Sequence, residues 1–247
     1  MTAPTSGVDA FRVARETVLG RIAAACDRVG RDPTSVSLVA ISKTVDAARV
    51  QDAVRAGLTR LGENRVQEGE SKAPLVSGAT WELVGPLQSN KVRRALETFD
   101  RIQTIDSVDL ARRVDRLATE VPPGARYPVL LQVNVDEDPS KAGFAPDDIE
   151  PAMSELAALA HLELGGFMTI GRLASSAEDA RATFTGLRTL AEGIRGRWPS
   201  VGAELSMGMS DDFELAIEEG ATIVRVGRAL FGERPHVHVE GDAGHRH

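Results

Sequence analysis

The chain has 247 residues, of which 42% are hydrophobic and 26% charged, enough to bury one large core or two small ones. Its formal net charge of -7 argues against nucleic acid as a partner, because whole-surface phosphate binding needs a basic patch. No apolar run approaches the length of a membrane span, and the start, MTAPTSGVDAF, lacks the basic-then-apolar pattern of a secretory signal. The single cysteine, Cys26, excludes an internal disulfide, so the expected location is cytoplasmic.

In chain order, residues 7–29 come first. Val8, Phe11, Ala14, Val18, Ile22, Ala25 and Val29 recur at helical spacing and predict an amphipathic helix. Cys26 falls on its apolar face and reads as core filler rather than a reactive thiol. This helix is expected to cover the amino-terminal mouth of whatever follows, with a partner-binding helix as the alternative. Eight short β-rich runs come next: Val36–Ile41, Arg60–Gly62, Trp81–Val84, Arg101–Ile105, Val129–Val135, Leu162–Met168, Ala203–Met207 and Thr222–Val226. A stretch with helical spacing follows each, starting near Asp46, Arg65, Ser89, Ser107, Pro146, Ser176, Asp211 and Gly227. A strand followed by a crossover helix implies parallel pairing, and eight such units predict a closed (β/α)8 TIM barrel with an extra N-terminal helix. The expected division is residues 1–30 as the added helix, 31–235 as the barrel and 236–247 as a disordered tail. The four histidines of that tail are spaced too irregularly for a metal site.

A barrel places its functional residues at the carboxyl ends of its strands. There this chain carries Lys43, Gly62-Glu63-Asn64, the run 85–91 ending in Lys91, Asn134 with the loop around Lys141, Met168-Thr169, the run Ser206–Ser210 with Met209, and Gly227-Arg228. A lysine partly desolvated at such a rim has a lowered pKa, which suits an amine nucleophile toward an aldehyde; the competing reading is a lysine that reaches out to water. Gly208 permits an unusual turn and Ser210 is a good helix cap, while Gly227 leaves the next N–H groups accessible. Together these loops form a candidate phosphate site. Ordinary capping by Ser210 is the plain alternative. Arg225 shares a strand face with Ile223, so it points inward. There it either pairs with a carboxylate such as Glu63 or donates to a ligand's ring nitrogen. Asn64 either caps a helix or bonds a phenolate oxygen.

These residues carry a resemblance. LVAISKT at 38–44, LGENRVQE at 61–68, WELVGPLQSNK at 81–91, QVNVDEDPSKAGF at 132–144, GFMTI at 166–170, SMGMSDDFELAIEEGAT at 206–222 and VRVGRALFG at 224–232 are similar to the YggS/PROSC family of pyridoxal 5′-phosphate (PLP) homeostasis proteins. That family has the type III PLP fold of the alanine racemase amino-terminal domain. The resemblance implies a Schiff base between PLP and Lys43, Asn64 near the pyridine hydroxyl and Arg225 at the pyridine nitrogen. It also implies Ser206, Ser210, Gly227 and residue 228 around the phosphate, with Met168 and Met209 beside the cofactor. It further implies PLP-dependent apo-enzymes as recipients. Residue 228 departs from the small hydroxyl residue common in the family, because here it is arginine.

Three function classes follow: a PLP carrier, a racemase using Lys43 as its one base, and a sugar-phosphate isomerase on the same barrel. The isomerase needs a Glu or His poised at the rim, and all five histidines lie outside the rim motifs. A two-base racemase pairs its lysine with a tyrosine, but the one tyrosine, Tyr127, precedes the fifth strand and so belongs to the opposite rim. Without the racemase's dimer-building second domain, the expected state is a monomer. Lys91 and Lys141 are either transient PLP acceptors or solvated loop lysines.

Overall fold

A computed structural model describes residues 7–120, 125–171 and 176–232. Helix α1 (Gly7–Arg28) precedes eight strands that pair in sequence order and close into a parallel barrel. These are β1 (Ser37–Ile41), β2 (Arg60–Glu63), β3 (Thr80–Leu83), β4 (Arg101–Ile105), β5 (Tyr127–Gln132), β6 (Leu162–Met168), β7 (Glu204–Ser206) and β8 (Ile223–Val226). Between them run α2 (Ala47–Arg55), α3 (Val66–Lys72), α4 (Val92–Thr98), α5 (Val108–Leu117), α6 (Pro146–Leu156), α7 (Ala177–Arg197) and α8 (Phe213–Glu218). The short α9 (Arg228–Phe231) follows β8. Closure is direct, with Ser37 through Ala40 of β1 in register with Ile223 through Val226 of β8. The (β/α)8 expectation therefore holds, including the short second strand.

Alternation along each strand sorts side chains into two cores. Outward residues such as Ala40, Leu61, Ile102, Leu131, Leu205 and Val224 join the helices in the larger core. Inward, Val39, Ile41, Val84, Leu130, Met168 and Ile223 form a small separate apolar cluster. The remaining interior is polar, and Gln103, Ser206 and Arg225 are buried there.

Helix α1 packs elsewhere than expected. Its buried face, with Phe11, Val18, Ile22 and Cys26, meets α2, α8 and α9 in the outer helical layer rather than crossing the amino-terminal mouth. The Phe11 and Phe231 rings meet edge to face at 5.4 Å, and Arg21 and Arg28 reach Glu214 and Glu218 of α8 at 2.6 and 2.7 Å. An apolar stripe flanked by arginines fits between two helices with acidic outer edges better than it fits a barrel end closed by charge. That end is occupied by ion pairs of Arg60 with Glu82 and Arg101 with Glu204. Cys26 is fully buried, as a packing residue would be. Val29 lies beyond the helix and is exposed. The tail with its four histidines lies outside the described residues.

Candidate functional site

Lys43 follows β1 by two residues, and alternation puts it on the inward face with Val39 and Ile41. It is partly buried, and it sits in a turn that the surrounding residues hold tightly. Thr44 adopts the left-handed conformation (φ 65°), which costs a β-branched residue about 1–2 kcal/mol. Its N–H donates to Glu68 at 2.9 Å, and the Val45 N–H closes the turn onto the Ser42 carbonyl. Beneath lies a buried ion pair: Lys72 Nζ donates to Glu63 and to the Ser42 carbonyl, each at 2.8 Å, while the Ser42 hydroxyl donates to Glu63. Burial holds the Glu63 carboxyl above its ordinary pKa, against the opposing pull of Lys72. Glu63 is therefore not the partner of Arg225. Its neighbour Gly62 faces the barrel interior, so Glu63 points outward to α3.

Asn64 follows β2 directly and does not cap α3, where Arg65 holds the cap position without a side-chain bond. It lines a cleft of about 680 Å³ together with Arg65, Glu68, Gln88 and Lys91. The end of β3 touches its backbone: a Cβ on Gly85 would lie 2.2 Å from the Asn64 carbonyl oxygen. Only glycine permits that approach.

Arg225 is buried, and its guanidinium donates to the Ser206 hydroxyl and to the Thr169 carbonyl, both at 2.7 Å. Among the described residues no carboxylate lies within ion-pair distance of it. Desolvation lowers its pKa to about 10, with partial compensation from Asp212 and Glu82. A guanidinium held by neutral oxygens has donors left for a ligand. Ser206 itself is fully buried, its hydroxyl bonded to Gln103 at 2.6 Å as well as to Arg225. Its hydroxyl thus engages both Arg225 and Gln103.

The loops after β7 and β8 are joined by hydrogen bonds. Gly208 takes φ 91°, and its carbonyl accepts the Arg225 N–H, which locks the β7 loop to β8. Helix α8 begins at Phe213, later than the start near Asp211, with Asp212 as its cap residue. Ser210 is therefore free of capping, and its hydroxyl accepts the Gly227 N–H at 3.3 Å. Gly227 opens α9, whose first-turn N–H groups at Arg228 and Ala229 precede any intrahelical acceptor. The Arg228 side chain turns away and pairs with Asp211 at the surface. Met168 is fully buried in the inner apolar cluster, whereas Met209 is 40% exposed at the loop.

Other residues separate from this group. Tyr127 opens β5 rather than preceding it, and its buried hydroxyl donates to the Phe99 carbonyl at 2.6 Å, at the amino-terminal end of the barrel. Lys141 is not a solvated loop lysine, since it is only 21% exposed and faces Asp136 and Asp138 at 3.8 and 3.6 Å. Lys72 was not singled out by the sequence. Its one signal was a pairing with Glu68 at helical spacing, which usually marks a solvated face.

The family profile described as alanine racemase, N-terminal domain, matches residues 19–235. The pyridoxal phosphate homeostasis protein of Escherichia coli (strain K12) is 40% identical over 230 residues, spanning 88% of this chain and 94% of that one. The chain belongs to the pyridoxal phosphate homeostasis protein family. PipY of Synechococcus elongatus, solved with PLP bound, is 41% identical with a TM-score of 0.76, covering 85% of this chain and all 100% of that one. Alanine racemase of Clostridium difficile shares the fold alone, at 16% identity and a TM-score of 0.69 over 92% of this chain and 57% of the racemase. No helix among the described residues is long and apolar enough to cross a membrane.

Proposed function

We propose that this chain binds PLP and serves its homeostasis, holding the cofactor as a Schiff base through the Lys43 amine. The observation that carries this reading is convergence: an inward-facing lysine, a buried arginine with spare donors and a hydroxyl-lined glycine loop meet at one barrel rim. The residues fit the group. The phosphate goes to Ser210 and the N–H groups of Gly227, Arg228 and Ala229, in the loops after strands seven and eight that commonly take phosphate in this fold. Asn64 takes the ring hydroxyl, Arg225 the ring nitrogen, and Met168 and Met209 flank the ring.

Bound PLP supplies an electron-withdrawing ring, strongest when its nitrogen is protonated. Arg225 works against that state, because a guanidinium donates and cannot accept a hydrogen bond. This favours a carrier over an enzyme. The position of Tyr127 points the same way, since its hydroxyl is buried and bonded far from Lys43. The recipients are PLP-dependent apo-enzymes, and the working location is the cytoplasm. The chain acts as a monomer, in keeping with the small number of large apolar residues exposed among the described residues (Val13, Val29, Leu75 and Met209).

An absorption spectrum of purified protein with added PLP tests this. Wild type is expected to give a Schiff-base band that borohydride fixes, and Lys43→Ala to lose most of it. A wild type without the band overturns the reading. Holo-protein incubated with D- or L-amino acids is expected to leave their chirality unchanged.

A further inference from the structure

A line of polar side chains crosses the barrel interior beneath Arg225. The Arg225 guanidinium donates to Ser206 at 2.7 Å, and Ser206 donates to Gln103 Oε1 at 2.6 Å. Gln103 Nε2 donates to Glu82 Oε2 at 2.5 Å, and Arg60 Nε donates to Glu82 Oε1 at 2.8 Å. The line thus joins β8, β7, β4, β3 and β2, from the carboxyl-terminal rim to the opposite end. Its middle members, Glu82, Gln103 and Ser206, are at most 3% exposed.

Every proton in this line has one direction. Arginine only donates, so Ser206 accepts from Arg225 and keeps its own proton for Gln103. The Gln103 amide must then turn its oxygen to Ser206 and its NH2 to Glu82, and an ionised carboxylate accepts from both sides. The guanidinium is pinned a second time by the Thr169 carbonyl at 2.7 Å, which fixes its plane. Packing does not require such a line. Barrel interiors are ordinarily filled by branched apolar residues, and buried polar groups are often replaceable by apolar ones of equal volume without loss of stability. A line of this kind that ends on the buried guanidinium of Arg225 serves that guanidinium.

We propose that Gln103 and Glu82 are positioning residues for the cofactor: acting through Ser206, they fix the orientation of the Arg225 guanidinium and with it the hydrogen bond offered to the PLP ring nitrogen. This rests on the reading of the rim as a PLP site. Neither residue touches the cofactor, so both act on its electronic state from within the barrel.

The test compares wild type, Gln103→Leu, Ser206→Ala and the double variant by absorption spectrum and PLP affinity, with borohydride fixation to Lys43 as the control. Each single variant is expected to shift the bound-cofactor band and to weaken PLP about ten-fold, as for one lost hydrogen bond to a charged group. The double variant is expected to be no worse than the weaker single, because both break the same line. An unshifted band with unchanged affinity in Gln103→Leu overturns the proposal, as do losses that multiply to about a hundred-fold. A purely structural role would lower the apo-protein's melting temperature and leave the band in place. If Gln103→Leu does not fold, Glu82→Gln keeps the shape and removes the charge; a shifted band supports the proposal and an unshifted one overturns it. Failure of the PLP reading looks different: wild type itself would lack the band.

Discussion

At the residue scale, the turn that carries Lys43 depends on a second lysine, Lys72. Lys72 pairs with Glu63 in the layer between barrel and helices; Lys72 holds the carbonyl and Glu63 the hydroxyl of Ser42, the residue before Lys43. Removing one partner of a buried pair strands the other, so Lys72→Met is expected to cost about 3–5 kcal/mol, measured by denaturant unfolding. The pH dependence has a definite sign. Burial already raises the Glu63 carboxyl above its ordinary value, so the folded state takes up a proton more readily than the unfolded one. Stability from that group is fully present below the unfolded pKa and is lost as pH rises through the folded pKa. Without Lys72 the ionised form becomes costlier still. The destabilisation should therefore be smaller at about pH 5 than at about pH 7.5. By contrast Arg228 and Asp211 are mostly exposed, and Arg228→Ala should change stability by less than about 0.5 kcal/mol in the same assay.

At the element scale, the rim is assembled by strand ends that approach more closely than side chains normally allow. Gly85 rests on the backbone of Asn64, so Gly85→Ala must push the end of β3 away from β2. The expected result is a loss of about 1–3 kcal/mol, as for an overpacked core, together with weaker PLP binding through displaced Asn64. Calorimetry with and without PLP separates the two effects. Helix boundaries matter in the same way. Because α8 starts at Phe213, Ser210 belongs to the loop and bonds Gly227, joining the loops that follow β7 and β8. Helix α1 belongs to the outer layer, where its aromatic and arginine contacts tie α2, α8 and α9 together behind those loops.

At the scale of the whole molecule, closure of the barrel makes every rim loop share one floor, so a ligand bound there couples to global unfolding. PLP at about a hundred times its dissociation constant should stabilise the fold by about 2.7 kcal/mol, read as a rise in melting temperature that Lys43→Ala largely removes. The sequence by itself determined the eight-unit alternation and the rim residues Lys43, Asn64, Arg225 and Gly227. Strand and helix periodicity are local properties, and closure follows from their number. It also carried the family resemblance that the comparisons bear out. Only the tertiary structure decided partners. Glu63 lies closer in sequence to Asn64 than to Lys72, yet strand alternation turns it outward to α3 and away from Arg225. Ser210 resembled a cap until the start of α8 was fixed, and α1 resembled a plug until charge was seen to close that end of the barrel. Nothing in the strand sequences TWEL and RIQTI links Glu82 and Gln103 to Arg225. Hydrogen bonds between strands far apart in sequence join them to Arg225, and that pairing exists only once the barrel has closed.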